Sequence, residues 1–211
     1  MDRDVVSVQR GQGDRRTMTE PHERPSPEEE QALLAACQRG EAAGWERLYR
    51  AYRRDAWAVL FRVLGPGEEL EDLVQQVFIR VFRNLAGFEG RSRFSTWLYR
   101  ICVHVAMDHL RERRRRREDA DGVSAEAAPD PRADPGREAM LRQARARLNQ
   151  ALERLKEDKR NVLVLHDLME VSSEEIAREL AIPPATVRTR LFYARKELAR
   201  ALARQAGDLT P

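Results

Sequence analysis

Residues 172–191 read SSEEIARELAIPPATVRTRL, and they predict two short helices joined by a tight turn. Either serine can cap the first helix, and a glutamate three residues after the cap would complete a capping box. Proline suits the first position of the second helix, because its missing N–H would have no partner there. The positions predicted to face inward are Ile176, Ala177, Leu180, Ile182, Val187 and Leu191. This pattern is typical of a helix-turn-helix, whose second helix enters the major groove of DNA.

The outward face of that second helix is basic and carries two aromatic rings. Arginine can pair with guanine edges, whereas lysine and the remaining polar groups mainly hold phosphates. An ordinary helical hairpin with a solvated basic face is the alternative interpretation of the same residues. The outward positions are Arg188, Thr189, Arg190, Phe192, Tyr193, Arg195 and Lys196.

A second candidate nucleic-acid segment lies at residues 88–101, which read FEGRSRFSTWLYRI. It holds four aromatic residues interleaved with three arginines, in a chain that is only 6% aromatic. Aromatic rings can stack on unpaired bases while arginines follow the neighbouring phosphates. The alternative is that Phe94 and Trp97 simply pack into the core.

Composition places the chain among helical proteins. It has 211 residues, of which 35% are charged, with a formal net charge of +3. Cys37 and Cys102 lie in apolar helical patterns, without the spacing of a metal or redox site, and are predicted to be small buried hydrophobic residues. No apolar run reaches the length of a membrane span and no signal-peptide core is present, so we expect a soluble cytoplasmic protein without membrane insertion.

The periodicity of apolar residues predicts an all-α chain with two helical domains. Residues 1–27 are predicted to be a disordered tail, and residues 28–117 a four-helix bundle. Residues 118–140 form a flexible, acidic, proline-rich linker, residues 141–204 a helix-turn-helix bundle, and residues 205–211 a C-terminal tail.

Local signals predict the ends of the first four helices. Ser26 is expected to cap the first helix, which Gly40 ends, and Gly65 is expected to end the second. The third opens near Glu68 with two apolar rows, Leu73/Val77/Val81/Leu85 and Val74/Phe78/Phe82, and so packs on more than one neighbour. The fourth starts around Ser95 and runs into the arginine-rich residues 111–117.

Both predicted domains resemble extracytoplasmic-function (ECF, group 4) sigma factors of the bacterial sigma-70 family. The resemblance covers roughly residues 28–117 and 145–203 and rests on the segments ELEDLVQQVF (69–78), residues 84–97, and PPATVRTRL (183–191). It implies a non-catalytic subunit, without a cofactor, that binds core RNA polymerase, recognises the −35 and −10 promoter elements and melts DNA. It also implies four kinds of partner contact: the β′ clamp helices and β flap of the polymerase, promoter DNA, and an anti-sigma factor.

The resemblance assigns the acidic start of the third helix to the β′ clamp helices. Gln76 stands where the family usually has glutamate, so this position carries no charge in the present chain. An acidic rim with amide donors could also be a solvated face whose acids complement the helix dipole. The residues assigned to polymerase binding are Glu69, Glu71, Asp72, Leu73, Gln75, Gln76 and Phe78.

The resemblance assigns the aromatic and basic segment, with the helix after it, to −10 recognition and melting. The loop of residues 87–94 is the part that receives a flipped base in relatives, and His104 stands where relatives typically have asparagine. We expect Leu98 and Ile101 to pack inward and Trp97 to stand at the melted edge. The assigned residues are Phe88, Arg91, Ser92, Arg93, Phe94, Ser95, Thr96, Trp97, Arg100, His104, Asp108 and Arg111.

The helix-turn-helix is similar to the −35 reader of the family. Relatives usually have glycine at the position of Ala185 and a further arginine at that of Tyr193, where this chain has a ring with a hydroxyl in place of a cation. The residues assigned to −35 binding are Thr186, Arg188, Thr189, Arg190, Phe192, Tyr193, Arg195 and Lys196. A free-standing helix-turn-helix repressor or activator is the main alternative, and a nucleic-acid enzyme is a weaker one.

Overall fold

The computed structural model describes residues 24–67, 69–119 and 135–207. Within these ranges the chain has eight α-helices and no strand. A 3₁₀ turn, Leu85–Gly87, follows the third helix, and a π-helical turn, Val164–Leu168, follows the sixth. The helices are α1 Pro27–Gln38, α2 Ala42–Leu64, α3 Leu70–Asn84, α4 Phe94–Asp119, α5 Pro135–Arg154, α6 Glu157–Leu163, α7 Ser173–Leu180 and α8 Pro184–Gly207.

Helices α1–α4 form the first unit, and their ends follow the predicted signals. Ser26 and Glu29 form a capping box at the start of α1. Gly40 and Gly65 follow α1 and α2 with φ of 81° and 88°, a left-handed region that glycine adopts without strain. The buried residues of α2 recur at helical spacing, and so do those of α4. Each helix therefore has one apolar face, and the two faces belong to the same core.

Helix α3 buries its first apolar row and the beginning of its second, where Val74 is 1% exposed. Leu73, Val77 and Val81 are 3% exposed or less. In the second row Phe82 is 63% exposed and touches only the edge of the unit, with its ring 4.8 Å from that of Trp45. Phe82 therefore contacts α2 through Trp45 but leaves most of its ring exposed at the outer end of the row.

Several predicted boundaries differ from the structure. Arg24, inside the predicted N-terminal tail, pairs with Asp55 at 3.0 Å. Helix α4 begins at Phe94, just before Ser95. Helix α5 begins inside the predicted linker, and α8 continues to Gly207, inside the predicted C-terminal tail. The rest of the N-terminal tail, the linker at 120–134 and residues 208–211 lie outside the described residues.

Helices α5–α8 form the second unit, which a buried arginine holds together. Arg160 is 6% exposed, and its guanidinium donates hydrogen bonds to the carbonyls of Leu152 at 2.9 Å and Leu155 at 2.7 Å. These carbonyls lie at the C-terminal end of α5, where the helical hydrogen bonds run out, although the Leu152 carbonyl also accepts from the Leu155 amide at 3.2 Å. The contact joins α5 to α6, although burial lowers the pKa of the guanidinium.

The two units pack against each other. Arg62 of α2 donates a 3.0 Å hydrogen bond to the Leu168 carbonyl, and Arg145 of α5 lies 5.5 Å above the ring of Phe61. Both cysteines are buried as predicted, and burial raises the pKa of the Cys37 thiol to about 11. Among the described helices, none combines the length and apolar character needed to cross a membrane.

Candidate DNA and polymerase interfaces

The helix-turn-helix forms as the sequence predicts. Ser172 caps α7 by accepting a hydrogen bond from the amide of Glu175. Ala181 adopts the left-handed conformation in the turn, and Pro184 begins α8. Ile176 and Val187 are both 0% exposed where the two helices cross. The crossing directs the other face of α8 to solvent.

Part of the basic face of α8 is occupied by acidic neighbours from its own unit. Arg195 pairs with both carboxylate oxygens of Asp167, at 2.9 Å and 2.6 Å, and these hydrogen bonds hold the pKa of Asp167 below its usual value. Arg190 lies 3.4 Å from Asp158. Arg188 and Lys196 are exposed beside them. Only part of the face therefore presents uncompensated positive charge.

Two rings stand on the same face of α8. Phe192 is 61% exposed and Tyr193 is 49% exposed, and their centroids lie 5.4 Å apart. Thr186 is half-buried, and the hydroxyl of Thr189 donates to the Ala185 carbonyl at 2.9 Å. The residues predicted for −35 binding are therefore together on one helix, with Thr189 also engaged with its own backbone.

The aromatic residues at the start of α4 form one cluster with an inner and an outer side. Phe94 is 0% exposed and lies edge-on to Tyr52, 4.8 Å away, so it belongs to the core. Trp97 is 6% exposed between it and Phe88, at 5.6 Å and 5.3 Å. Phe88 is half-buried. The cluster thus combines a core ring, Phe94, with a partly exposed ring, Phe88. Trp97 lies deeper than the surface edge at which we expected it.

A cleft of about 250 Å³ opens beside the outer side of this cluster. Its lining residues from the first unit include two rings, Phe88 and Trp97, and two arginines, Arg91 and Arg100. The opposite wall comes from the second unit, at the end of α7. Its residues there are Glu179, Leu180 and Ala181.

Two glutamates of α7 contact the predicted −10 surface directly. The Ser92 hydroxyl donates to Glu179 at 2.5 Å, and the Thr96 hydroxyl donates to Glu175 at 2.6 Å. Arg100 Nε lies 3.1 Å from Glu179. Arg93 Nε is 3.9 Å from Glu175 and its side chain is 77% exposed, which makes this the weaker pair.

Further along α4, His104 also contacts the second unit. Its Nε2 lies 3.1 Å from Asn161 Nδ2 and 3.1 Å from Glu157 Oε1. The ring nitrogen can accept from the amide when neutral or donate to the carboxylate when protonated. Burial lowers the pKa of His104, which favours the neutral ring. One turn on, Asp108 pairs with Arg80 at 2.6 Å and Arg111 at 3.3 Å.

The predicted polymerase-binding residues divide between surface and core. Leu73 is 3% exposed and packs inside the unit, and Phe78 is half-buried with its ring 4.8 Å from Tyr49. Glu69 pairs with His109 at 2.9 Å. The residues that do form an exposed acidic and amide face are Glu71, Asp72, Gln75 and Gln76.

Sequence reasoning missed one residue beside that face. Ile79 is 50% exposed, and it follows Gln75 by one helical turn, so it extends the polar face with an apolar contact surface. The signal was available in the sequence, because Ile79 lies outside both apolar rows of α3.

Comparisons with known proteins agree with this arrangement. Residues 48–116 match the family described as Sigma-70 region 2, and residues 141–198 match Sigma-70, region 4. The chain is 34% identical over 183 residues to the RNA polymerase sigma-H factor of Pseudomonas aeruginosa, covering 83% of this chain and 94% of that protein. It is 32% identical over 176 residues to the ECF RNA polymerase sigma-E factor of Escherichia coli K12, covering 80% of this chain and 92% of that one.

Among solved structures, CnrH in complex with the cytosolic domain of CnrY has a similar fold. The TM-score is 0.50 at 24% sequence identity, over 82% of this chain and 97% of CnrH. That likeness concerns the fold alone, whereas the two curated relatives match nearly their full length at 32% identity or more. The chain therefore belongs to the sigma-70 family as an ECF-type sigma factor, a non-catalytic subunit that gives RNA polymerase its promoter specificity.

Proposed function

We propose that the two units of this sigma factor divide the promoter between them. The first unit holds and melts the −10 element with the loop of residues 88–93 and the start of α4, and the second unit reads the −35 element with α8. The observation that carries the proposal is the cleft in which Phe88, Trp97, Arg91 and Arg100 meet. It joins a ring, on which a base can stack, to guanidinium groups that can hold phosphates.

Transcription with core polymerase tests this division of the promoter. Run-off transcription on a library of promoters, followed by permanganate footprinting of the selected ones, should locate reactive thymines at −10 and protection at −35. Protection at −35 without any melted thymine at −10 would contradict the assignment of the first unit. Family membership already removes the alternatives of a free-standing repressor and of a nucleic-acid enzyme.

For polymerase binding, we propose the exposed face of α3 as the surface that docks on the β′ clamp helices. Glu71 and Asp72 supply negative charge, Gln75 and Gln76 supply amide donors, and Ile79 adds an apolar contact. A mixed face of this kind suits a basic helical partner. Asp72→Lys should abolish co-purification with core polymerase at moderate salt. Glu28→Lys reverses an equally exposed acid on α1 and serves as the control.

The remaining partners follow from the family. We propose that the second unit contacts the β flap of the polymerase and that the protein acts in the cytoplasm, where core polymerase is found. The family resemblance also underlies the further proposal that an anti-sigma factor holds this chain inactive. Co-expression with tagged protein and identification of an inhibitor of run-off transcription would test it.

A further inference from the structure

Helix α1 contacts both ends of the loop assigned to −10 melting. At one end, Gln38 Nε2 donates a 3.3 Å hydrogen bond to the carbonyl of Leu85, where the 3₁₀ turn follows α3. At the other end, Glu30 Oε1 accepts a 3.4 Å hydrogen bond from the amide of Phe94, the first residue of α4. One helix therefore holds the segment of residues 85–94 at both ends.

The spacing of the two contacts keeps this segment compact. Glu30 and Gln38 are eight positions apart on α1, which corresponds to about 12 Å along a helix. Residues 85–94 could span about 30 Å if their backbone were extended. Both side chains flank the apolar stripe that packs α1 into the core, so the anchor points are fixed to that core. The buried residues of the stripe are Leu33, Leu34 and Cys37.

The Gln38 contact reaches the backbone that carries Phe88. The Leu85 carbonyl also accepts a 3.0 Å hydrogen bond from the Phe88 amide, and its two lone pairs allow both bonds at once. Further along the loop, Gly90 has φ of 67°, and no atom lies within 4 Å of the place where its Cβ would be. The middle of the loop therefore has little packing, and its shape depends on how its ends are held.

The Glu30 contact caps α4 where the residue before the helix cannot. The first amides of a helix have no acceptor within it, and the side chain of Arg93 has donors only. The Glu30 carboxylate supplies an acceptor and places negative charge at the positive end of the helix dipole. It also accepts from the hydroxyl of Tyr52, whose ring lies edge-on to that of Phe94, 4.8 Å away. Burial and this carboxylate raise the pKa of Tyr52, so the hydroxyl stays a donor.

Holding a loop in place before DNA arrives favours capture of a flipped base. Ordering the backbone costs conformational entropy, and a loop that is ordered on folding does not lose that entropy again on binding. Phe88 is the ring of the loop on which a base can stack. Its position relative to α4 is set by the two ends that α1 holds.

We propose that α1 positions the melting loop: Glu30 and Gln38 are positioning residues that fix the two ends of residues 85–94, and through them Phe88, for strand separation. The proposal rests on the assignment of that loop to −10 melting. It gives α1 a role in opening the promoter without any contact between α1 and DNA.

Chains carrying Glu30→Ala or Gln38→Ala, assembled with core polymerase, test the proposal. Each variant should slow formation of the open complex at saturating holoenzyme by about 2- to 10-fold, the range expected for one hydrogen bond. Affinity for the closed promoter complex should stay the same, because α8 is untouched. Glu28→Ala and Gln31→Ala remove the same residue types at exposed positions of α1 and should change neither quantity.

Conservative variants separate hydrogen bonding from side-chain volume. Glu30→Gln keeps an acceptor for the Phe94 amide and offers a donor to the Tyr52 hydroxyl, so it should restore most of the rate. Gln38→Glu keeps the volume but turns a carboxylate toward the Leu85 carbonyl, so it should be at least as slow as Gln38→Ala. On a promoter with a mismatched, already open −10 region, the defects should shrink, whereas a general loss of folding would persist there.

Hydrogen exchange in the full chain without polymerase reports the contacts themselves. The Phe94 amide should exchange faster in Glu30→Ala, and the Phe88 amide faster in Gln38→Ala, as measured by NMR. Glu28→Ala and Gln31→Ala should leave both rates unchanged. This measurement does not depend on the role of the loop in melting.

The results that overturn the inference differ in what else they affect. Unchanged exchange in both alanine variants would remove the inference and leave the role of the loop intact. Unchanged opening in both would do the same, provided that Phe88→Ala is slow on that promoter. Unchanged opening in all three would contradict the role of the loop in melting, and the inference with it. Equal losses in Glu28→Ala and Gln31→Ala would reduce the effect to the stability of α1.

Discussion

The two candidate DNA surfaces of this sigma factor differ in how they are presented. The face of α8 is exposed, with Arg188, Lys196 and two rings in contact with solvent. The surface at the start of α4 is covered, with Ser92 and Thr96 bonded to glutamates of the other unit. One chain thus holds one surface ready for DNA and keeps the other occupied.

The comparison shows that the exposure of a side chain in the isolated chain does not by itself identify a candidate DNA surface. The α8 face is built from residues that point away from a small crossing of two helices, so its side chains need no other unit. The α4 surface is built around a ring cluster that the core requires, and its polar rim contacts α7. A partner can therefore reach the side chains of α8 directly, whereas Ser92 and Thr96 already donate hydrogen bonds to α7.

The largest expected effect is on the free energy of unfolding, when one ring from each surface is removed. Phe94→Ala empties a wholly buried position against Tyr52 and should lower the free energy of unfolding by about 3–5 kcal/mol. Phe192→Ala removes a ring that is 61% exposed and should change it by less than about 0.5 kcal/mol. Urea unfolding followed by circular dichroism measures both, and comparable losses in the two variants would contradict the contrast between core and surface.

The next effect concerns the exposed surface. Arg188→Ala should weaken binding of the isolated chain to −35 duplex DNA by about 1–3 kcal/mol, as expected for one arginine at a base edge. Arg200→Ala removes the same charge further along α8 and should have a smaller effect. Fluorescence anisotropy measures both affinities. Equal losses would indicate phosphate contact without base recognition.

A smaller effect is expected at the covered surface. Phe88→Ala should slow formation of the open complex by about 1 kcal/mol, the lower end of a base–aromatic stack, because half of the ring also packs on the protein. Binding to core polymerase should stay unchanged. Trp97→Ala should also impair melting, together with a loss of stability from its buried position. Permanganate footprinting and co-purification decide, and unchanged thymine reactivity in both variants would refute a role in melting.

The smallest effect is a pH dependence of the contact between units. Burial holds the pKa of His104 below its ordinary 6.5, so the separated state binds the proton more tightly than the closed one. Stability of the closed state should therefore fall as the pH drops through 6.5. Charged groups facing the ring are Glu157 on α6, Arg80 on α3, and Arg100 and Asp108 on α4.

The distance between spin labels at Gln31→Cys on α1 and Arg178→Cys on α7, both exposed positions, should lengthen between pH 7.5 and 6. His104→Asn cannot take up a proton in that range and should lose this lengthening. Glu179 has a raised pKa and acts in the opposite direction, favouring closure as the pH falls toward its own titration. A distance that is constant with pH in the unmodified chain would exclude His104 as a contributor.

Local signals were sufficient for most of the fold. The capping box at Ser26, the ends at Gly40 and Gly65 and the turn before Pro184 each depend on a few adjacent residues, and the structure confirms them. Periodicity was less informative at Phe82, because it identifies a helix face and not the neighbour that covers it. That ring contacts only Trp45 at the start of α2 and stays 63% exposed.

The candidate site could be predicted only in part, for a related reason. Whether Phe94 packs or stacks depends on Tyr52, which lies on another helix. The role of Glu175 depends on Thr96, 79 residues earlier, and that of Glu179 on Ser92, 87 residues earlier. In the sequence these glutamates are ordinary acids of a short helix, so the occupied state of the −10 surface has no local signal.

The π-helical turn Val164–Leu168 links the two surfaces mechanically. Its last carbonyl accepts from Arg62 of the first unit, and its Asp167 pairs with Arg195 on α8. Such a turn holds one residue more than an α-helix would. Gain or loss of one residue there would rotate both contacts together, and so reset the angle between the units while every DNA-binding side chain stayed the same.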